Sequence, residues 1–222
     1  MKLAHYILSA PIEWKEANIN TLIVENSKLY RELLNEINEQ LLGLNGRFVL
    51  SQENEIIDFP KNIEMISNVI SLDTESNKRI ISGIVKELTA IGNNEELNSV
   101  MNMYNGINFC VASIIEKLGE EITYDDINDI SQILKLYNVR PDTSGLSAGE
   151  ALLFHMKLCE KYLKKRLFIV INLHSFFVKE EIDLLFKNII YEKYNLLIIE
   201  RYDIEASRYE KKRIIDADLC EL

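Results

Sequence analysis

Thr21-Leu22-Ile23-Val24 reads as a short buried strand, and Glu25-Asn26-Ser27-Lys28 leads from it straight into an amphipathic helix carrying Leu29, Leu33, Ile37 and Leu41. A strand that turns into a helix is where a chain can build a phosphate-binding loop. Such a loop needs glycines, so that successive backbone N–H groups turn inward around the phosphates, followed by Lys-Ser/Thr. No glycine stands here, and the carboxylate of Glu25 occupies the place an anion would take. The flanking elements are present and the loop is missing. That argues against nucleotide hydrolysis and for a scaffold that binds something else.

A second stretch bears on the same chemistry. Leu146-Ser147-Ala148-Gly149-Glu150, ahead of a helix and then a buried strand, resembles the signature motif of ABC-type and SMC-type ATPase heads. In those heads the strand after the signature helix ends in acidic residues that handle magnesium and water. Here Leu167–Ile171 ends in Asn172. Ser147 and Glu150 equally form a capping box at a helix start. Without a glycine loop or an acidic strand end, the parts that phosphoryl transfer requires are missing. No Gly-x-Ser-x-Gly elbow and no HExxH site occurs, and His5, His155 and His174 lie far apart; His155, between Phe154 and Met156, reads as packed or capping. The expectation is a protein that is not an enzyme. The alternative is a divergent P-loop-family nucleotide-binding or nucleotide-hydrolysing protein, with Lys28 as its phosphate lysine.

Binding chemistry is richer. Glu116, Glu120, Glu121, Asp125, Asp126 and Asp129 form the densest acidic group, and Gly119 with the Ile122-Thr123-Tyr124 connector bends the chain between them. Hard oxygen ligands without His or Cys suit calcium or magnesium, and calcium tolerates irregular geometry best. The same residues are equally explained as a helix cap at Asp125 and a solvated face. Lys161, Lys164, Lys165 and Arg166 form the strongest basic run; Lys28 with Arg31, Lys78 with Arg79 and Lys86, and Lys211-Lys212-Arg213 are smaller groups. Each could grip phosphates or be ordinary solvated surface. Aromatic residues do not interleave with them as a single-strand stacking groove requires, so any nucleic acid contact points to a duplex backbone.

The net charge of −10 repels nucleic acid and anionic membrane on average, so DNA contact needs a segregated basic face or bound cations. Cys110, Cys159 and Cys220 are far apart and form no CxxC pair, so their spacing indicates neither a disulfide framework nor a zinc site. No apolar run approaches the roughly 18 residues that span a bilayer, and the first residues read as a strand, not a signal peptide. A soluble, cytoplasmic protein is expected.

The elements that must position these residues fall into three stretches. The first 24 or so residues read as β structure, followed by a helix from about Ser27 to Gly43 and two short strands at Arg47–Leu50 and Ile56–Phe59. From Pro60 to Tyr137 the pattern is helical: Ile63, Ile66, Val69 and Ile70, then Ile80 to Ile91, then Glu95–Leu118, then about Asp126 to Tyr137. After a Pro/Gly-containing linker come a helix at Ser147–Lys164, a strand at Leu167–Leu173, a helix at Val178–Tyr191 and a strand at Leu196–Ile199. Apolar strands separated by amphipathic helices signal a parallel sheet covered on both faces. The expected fold is α/β: a degenerate P-loop/ABC-like head with a mostly parallel sheet from residues 1–59 and 141–222, and an inserted all-helical leg domain at 60–140.

The blocks Asn20–Glu25, Glu121–Ile127, Lys161–Arg166 with Phe168–Asn172, and Leu197–Glu200 occur in an order and spacing that resemble the small CRISPR-associated adaptation protein family of type II-A systems. The resemblance spans nearly the whole chain. It implies a non-catalytic homotetrameric ring that binds double-stranded DNA ends during spacer acquisition, an antiviral defence function. It also implies calcium ions joining head and leg, and the CRISPR integrase complex and effector nuclease as partners. On this resemblance the calcium role falls on Glu121, Asp125 and Asp126, with Glu120 beside them. Lys135 matches a position that tends to be lysine in the family; Lys28, Arg31, Lys164 and Lys165 are the other expected DNA contacts. Thr123 stands where the family is often acidic.

Overall fold

Leu167–Ile171 and Leu196–Ile199 are apolar at every position, so they can be strands only where both faces are covered. The computed structural model describes residues 1–15, 19–72 and 74–222. The expected β structure of the first residues includes 16–18, and the expected helical stretch includes 73; these lie outside the described residues. In chain order the elements are β1 (Lys2–Ala4), β2 (Ile12–Glu13), β3 (Ile19–Val24), α1 (Ser27–Leu41), β4 (Val49–Gln52), β5 (Glu55–Ile56), α2 (Phe59–Asn62) and β6 (Ile63–Ile66). They continue with α3 (Thr74–Asn94), α4 (Leu97–Glu116), α5 (Ile130–Leu136), α6 (Ala148–Leu158), β7 (Leu167–Ile171), α7 (Lys179–Tyr191), β8 (Asn195–Glu200) and β9 (Glu210–Ile215). Two compact units result, Met1–Asn77 with Thr143–Leu222, and Lys78–Asp142.

The first unit is built on a five-stranded sheet in the order β6-β7-β8-β3-β9, parallel throughout. β3, which would carry a phosphate loop at its end, lies between β8 and β9. This is the α/β, P-loop-like head implied by the sequence. One face of the sheet, through Leu22, Val24, Ile169, Ile171, Leu197 and Ile199, packs with Leu29, Leu33 and Ile37 of α1. A small antiparallel sheet, β2-β1-β4-β5, closes the same core with Leu3, Ile12 and Leu50. The alternate residues Phe168, Val170, Leu196 and Ile198 are fully buried on the other face. There Tyr194 meets Phe168 edge-on, with ring centroids 5.5 Å apart.

One assignment needs correcting. Ile63 and Ile66 are not the start of a helix; they belong to β6, an edge strand whose Ile63 pairs with Leu167 and Ile66 with Val170. Four apolar residues in eight satisfy a helical period and a short strand alike, and the open edge of β7 decides between them. Residues 60–72 therefore lie in the first unit. The Lys211-Lys212-Arg213 group keeps Lys211 and Lys212 exposed. It lies in β9, an edge strand hidden by its charges, where Lys212 Nζ donates to Asp203 at 2.7 Å and Arg213 Nη1 to the Ala10 carbonyl at 2.6 Å.

Among the described residues the second unit contains only helices. Val100, Tyr104 and Ile133 form its small core, with Met103, Ile107, Ile127 and Ile130 packed around them. The helix expected from Asp126 starts later, at Ile130, because Asp129, not Asp125, supplies its cap: the Asp129 carboxylate accepts from Ser131 N at 2.8 Å and Ser131 Oγ at 2.6 Å.

Candidate nucleic-acid interface

Parallel strands bring together whatever precedes them in the chain. β7 and β8 pair with Leu167 opposite Asn195, so Lys164 and Arg166, just ahead of β7, meet Lys193, just ahead of β8. These residues, with Lys161, line a cleft of about 910 Å³ at the N-terminal edge of the sheet, walled by Trp14, Gln52, Tyr194 and Asn195. All four basic side chains belong to exposed residues, and Glu160 is the acidic residue lining the cleft. Burial first, then the nearby Glu160 and Glu192 carboxylates, push the Tyr194 phenol up to about 12, so it stays a neutral donor. Arg166 Nη1 donates to Gln52 Oε1 at 3.0 Å, which holds the guanidinium at the rim.

The backbone at this cleft is unusual. Lys164 has φ of 59° and Lys193 has φ of 61°. Both sit where a helical segment turns into a strand, a left-handed position where glycine or asparagine is the ordinary choice. A lysine there carries a strain cost of about 1 kcal/mol, which the fold tolerates at two neighbouring corners that face one cleft.

Lys165 behaves differently from its neighbours. It is 5% exposed, and its ammonium donates to the Pro60 and Ile63 carbonyls, each at 2.7 Å. It also lines the cleft, but its ammonium is turned inward and ties β6 into the sheet. Lys28 and Arg31 are exposed on α1, which follows the opposite, C-terminal end of β3; they are not gathered with the cleft lysines. Lys135 is exposed in the last turn of α5, in the second unit.

At the C-terminal end of β3 the turn into α1 holds two residues. Asn26 caps the helix, its side-chain oxygen accepting from Lys28 N and Leu29 N, each at 3.1 Å. Glu25 N donates to Ile215 O at 2.9 Å, and Arg201 donates to the Val24 carbonyl at 3.3 Å and to Ser27 Oγ. The Glu25, Lys28 and Leu29 N–H groups at this turn are thus engaged by the protein itself. Lys28 lies 3.9 Å from Glu32 along the helix. Asn172, in place of an acidic strand end, accepts from the Tyr30 hydroxyl at 3.0 Å.

Behind that edge lies a buried charge network. His174 reaches Glu200 Oε1 through Nδ1 at 2.8 Å and Glu210 Oε1 through Nε2 at 3.2 Å, and Thr21 Oγ1 donates to the other oxygen of Glu210. Burial works to lower the imidazole, but the two carboxylates outweigh it and raise it to about 9. Burial likewise opposes ionisation of Glu210, yet the His174 and Thr21 hydrogen bonds leave its carboxyl below the usual range.

The acidic residues sit in the second unit, between α4 and α5. Glu120, Glu121, Asp125 and Asp126 are all exposed, and residues 121–129 form neither helix nor strand. Gly119, with φ of 72°, opens the segment. Asn108 of α4 closes it: its side chain accepts from Ile127 N at 3.0 Å and donates to Ile127 O at 3.2 Å. Oxygen donors alone suit calcium by their chemistry, but among the described residues the structure does not gather three of these carboxylates around one point.

A family model described as CRISPR-associated protein (Cas_Csn2) matches residues 40–219. The chain belongs to this family. Cas_Csn2 membership gives it a role in CRISPR adaptation, in line with the type II-A resemblance. No curated protein matches the chain. Among solved structures it is similar to a Pyrococcus furiosus protein described as an ABC transporter ATP-binding protein, at 10% identity and TM-score 0.38, covering 91% of this chain and 88% of that one. It is also similar to the ADP conformation of an ATP-binding cassette of an ABC transporter, at 12% identity and TM-score 0.43, covering 88% of this chain and 74% of the other. Among the described residues no helix is long and apolar enough to cross a membrane.

For a Cas_Csn2 protein the informative residue that sequence reasoning missed is Lys193. It lies in no basic run. The signal that finds it is topological: once two apolar strands are taken as parallel neighbours, the residues preceding each must share an edge.

Proposed function

We propose that this Cas_Csn2 chain is a non-catalytic, calcium-dependent subunit of a homotetrameric ring that binds double-stranded DNA ends during spacer acquisition, alongside the CRISPR integrase complex and the effector nuclease. The observation that carries the reading is the cleft of Lys161, Lys164, Arg166 and Lys193 in a chain whose net charge is −10. Segregated basic groups of this kind neutralise a phosphate backbone without reading bases. The glycine-free, self-capped turn after β3 supports a binding role over phosphoryl transfer. Glu121, Asp125 and Asp126, with Glu120, would hold calcium. The ion would offset part of the acidic field and stiffen the segment that carries it. Lys135, Lys28 and Arg31 remain proposed secondary DNA contacts; Lys165 does not.

The decisive experiment compares linear and closed-circular duplexes of equal length, with calcium or with EGTA. Preferential binding of the linear form, lost on chelation, is expected. Equal affinity for both forms in calcium sinks the reading. Micromolar ATP binding by calorimetry also counts against it.

A further inference from the structure

The three cysteines are too far apart in sequence to suggest a metal site, yet the fold gathers two other possible ligands around Cys159. Glu64 of β6, His155 of α6 and Cys159 place one ligand atom each within 4.8 Å of the others, and all three are buried. His155 Nε2 lies 3.3 Å from Cys159 Sγ and 3.9 Å from Glu64 Oε1. Zinc held by nitrogen and oxygen at about 2.0–2.1 Å and sulfur at about 2.3 Å separates its ligands by about 3.3–3.6 Å along the edges of a tetrahedron. The two separations from His155 bracket that value, and the third lies within 4.8 Å.

The surrounding elements fix each ligand. His155 and Cys159 are one helical turn apart, so they share a face. At Cys159 the helix widens into a π turn running to Leu163, an uncommon geometry that recurs at functional sites. Glu64 is delivered from the edge strand that Lys165 anchors through the carbonyls of Pro60 and Ile63. The Lys165 ammonium lies 3.6 Å from Glu64 Oε2, which leaves Oε1 as the oxygen turned toward His155. Ser76 Oγ donates to that same Oε1, which orients the carboxylate.

We infer that Glu64, His155 and Cys159 form a buried zinc site that staples the edge strand β6 to the end of α6. A sulfur, nitrogen and oxygen set in tetrahedral spacing selects zinc over calcium, which takes oxygen alone. The Cys159 thiolate and the Glu64 carboxylate offset the two charges of the ion, binding releases the thiol proton, and the one positive charge left over is that of Lys165, whose ammonium the Pro60 and Ile63 carbonyls solvate. Because the ligands are buried, the metal would enter as the chain folds and leave only when it unfolds. The site is independent of the DNA reading and of the acidic segment in the other unit.

Cobalt serves as the spectroscopic probe. The full-length Cys110→Ser/Cys220→Ser double variant, refolded with cobalt under reducing conditions, retains Cys159 as its single thiol. A thiolate-to-cobalt charge-transfer band in the near ultraviolet, with tetrahedral visible bands, is expected. So is about one zinc per chain after refolding with zinc and passage over a chelating resin. Cys159→Ser should lose the charge-transfer band. Absence of that band in the double variant overturns the inference, as does zinc content near zero in refolded wild-type chain.

Discussion

Lys164 and Lys193 hold a conformation that costs them stability, and both line one basic cleft. Stability and binding should therefore respond in opposite directions to the same change. Lys164→Gly and Lys193→Gly each relieve a left-handed side chain and are expected to raise unfolding free energy by up to about 1 kcal/mol. Each also removes a phosphate contact and should weaken duplex binding several-fold, with the salt slope reduced by about 1 per subunit. Urea unfolding and fluorescence anisotropy on the same samples test this. A glycine variant that binds as tightly as the parent removes the cleft from the DNA surface. His174 makes a separate residue-scale prediction. Its folded value of about 9 lies above the unfolded 6.5, so its stabilisation is complete below pH 6.5 and fades as pH rises through 9. The loss should reach at most about 3 to 4 kcal/mol. Glu210 is held low and acts at the other end, losing its contribution only in acid as pH falls through its folded value. Denaturant midpoints between pH 6 and 10 should fall in the parent chain and stay flatter in His174→Gln. Parallel slopes for the two proteins would assign the alkaline limb elsewhere.

Elements that earn their place by burial were the ones legible in the chain. β3, β7 and β8 announce themselves because every residue must be covered, and α1 does so by its apolar stripe. β6 and β9 do not. Edge strands need only one partner, so a four-residue apolar run or a charged run such as Glu210–Arg213 carries no periodic signal strong enough to choose strand. The candidate site divides the same way. The run around Lys164 is visible as charge, whereas Lys193, Lys165's internal role and the meeting of Glu64 with Cys159 follow only from sheet order. The acidic segment was legible as composition, but its clasp was not: nothing local marks Asn108 as the partner of Ile127. That clasp supports a prediction at element scale. Asn108→Ala removes both hydrogen bonds that close the segment and should weaken calcium binding by roughly tenfold, since ligands then order only on binding. Asp125→Asn should weaken it by a charge instead, without loosening the backbone. Isothermal titration with calcium, paired with hydrogen exchange at Ile127, separates the two effects. Unchanged calcium affinity in both variants would remove this segment from the metal site.

An acidic chain gains a basic surface only by concentrating its few lysines, and a closed assembly does this by pointing the same cleft of every subunit toward one axis. The second unit offers a surface for such assembly. Val111, Ile114 and Leu118 follow one face of α4 and its end at helical spacing, and Ile114 and Leu118 remain 63% and 60% exposed. Single exposed apolar residues are ordinary, but this stripe continues the same face of α4 that packs Val100 and Tyr104, beyond the point where the small core ends, and in the proposed ring it would be covered by another chain. If the proposed tetramer uses this stripe, Ile114→Asp with Leu118→Asp shifts the particle to smaller species, read as mass by light scattering. The same variant makes a second, sharper prediction. With about two phosphate contacts per subunit, a tetramer gives a log–log salt slope of roughly −7, whereas an isolated subunit gives roughly −2. Assembly and salt dependence must then change together while the cleft lysines stay intact. A variant that is monomeric yet keeps the steep slope would mean that one subunit alone makes all the phosphate contacts, and the ring would have no part in holding the duplex.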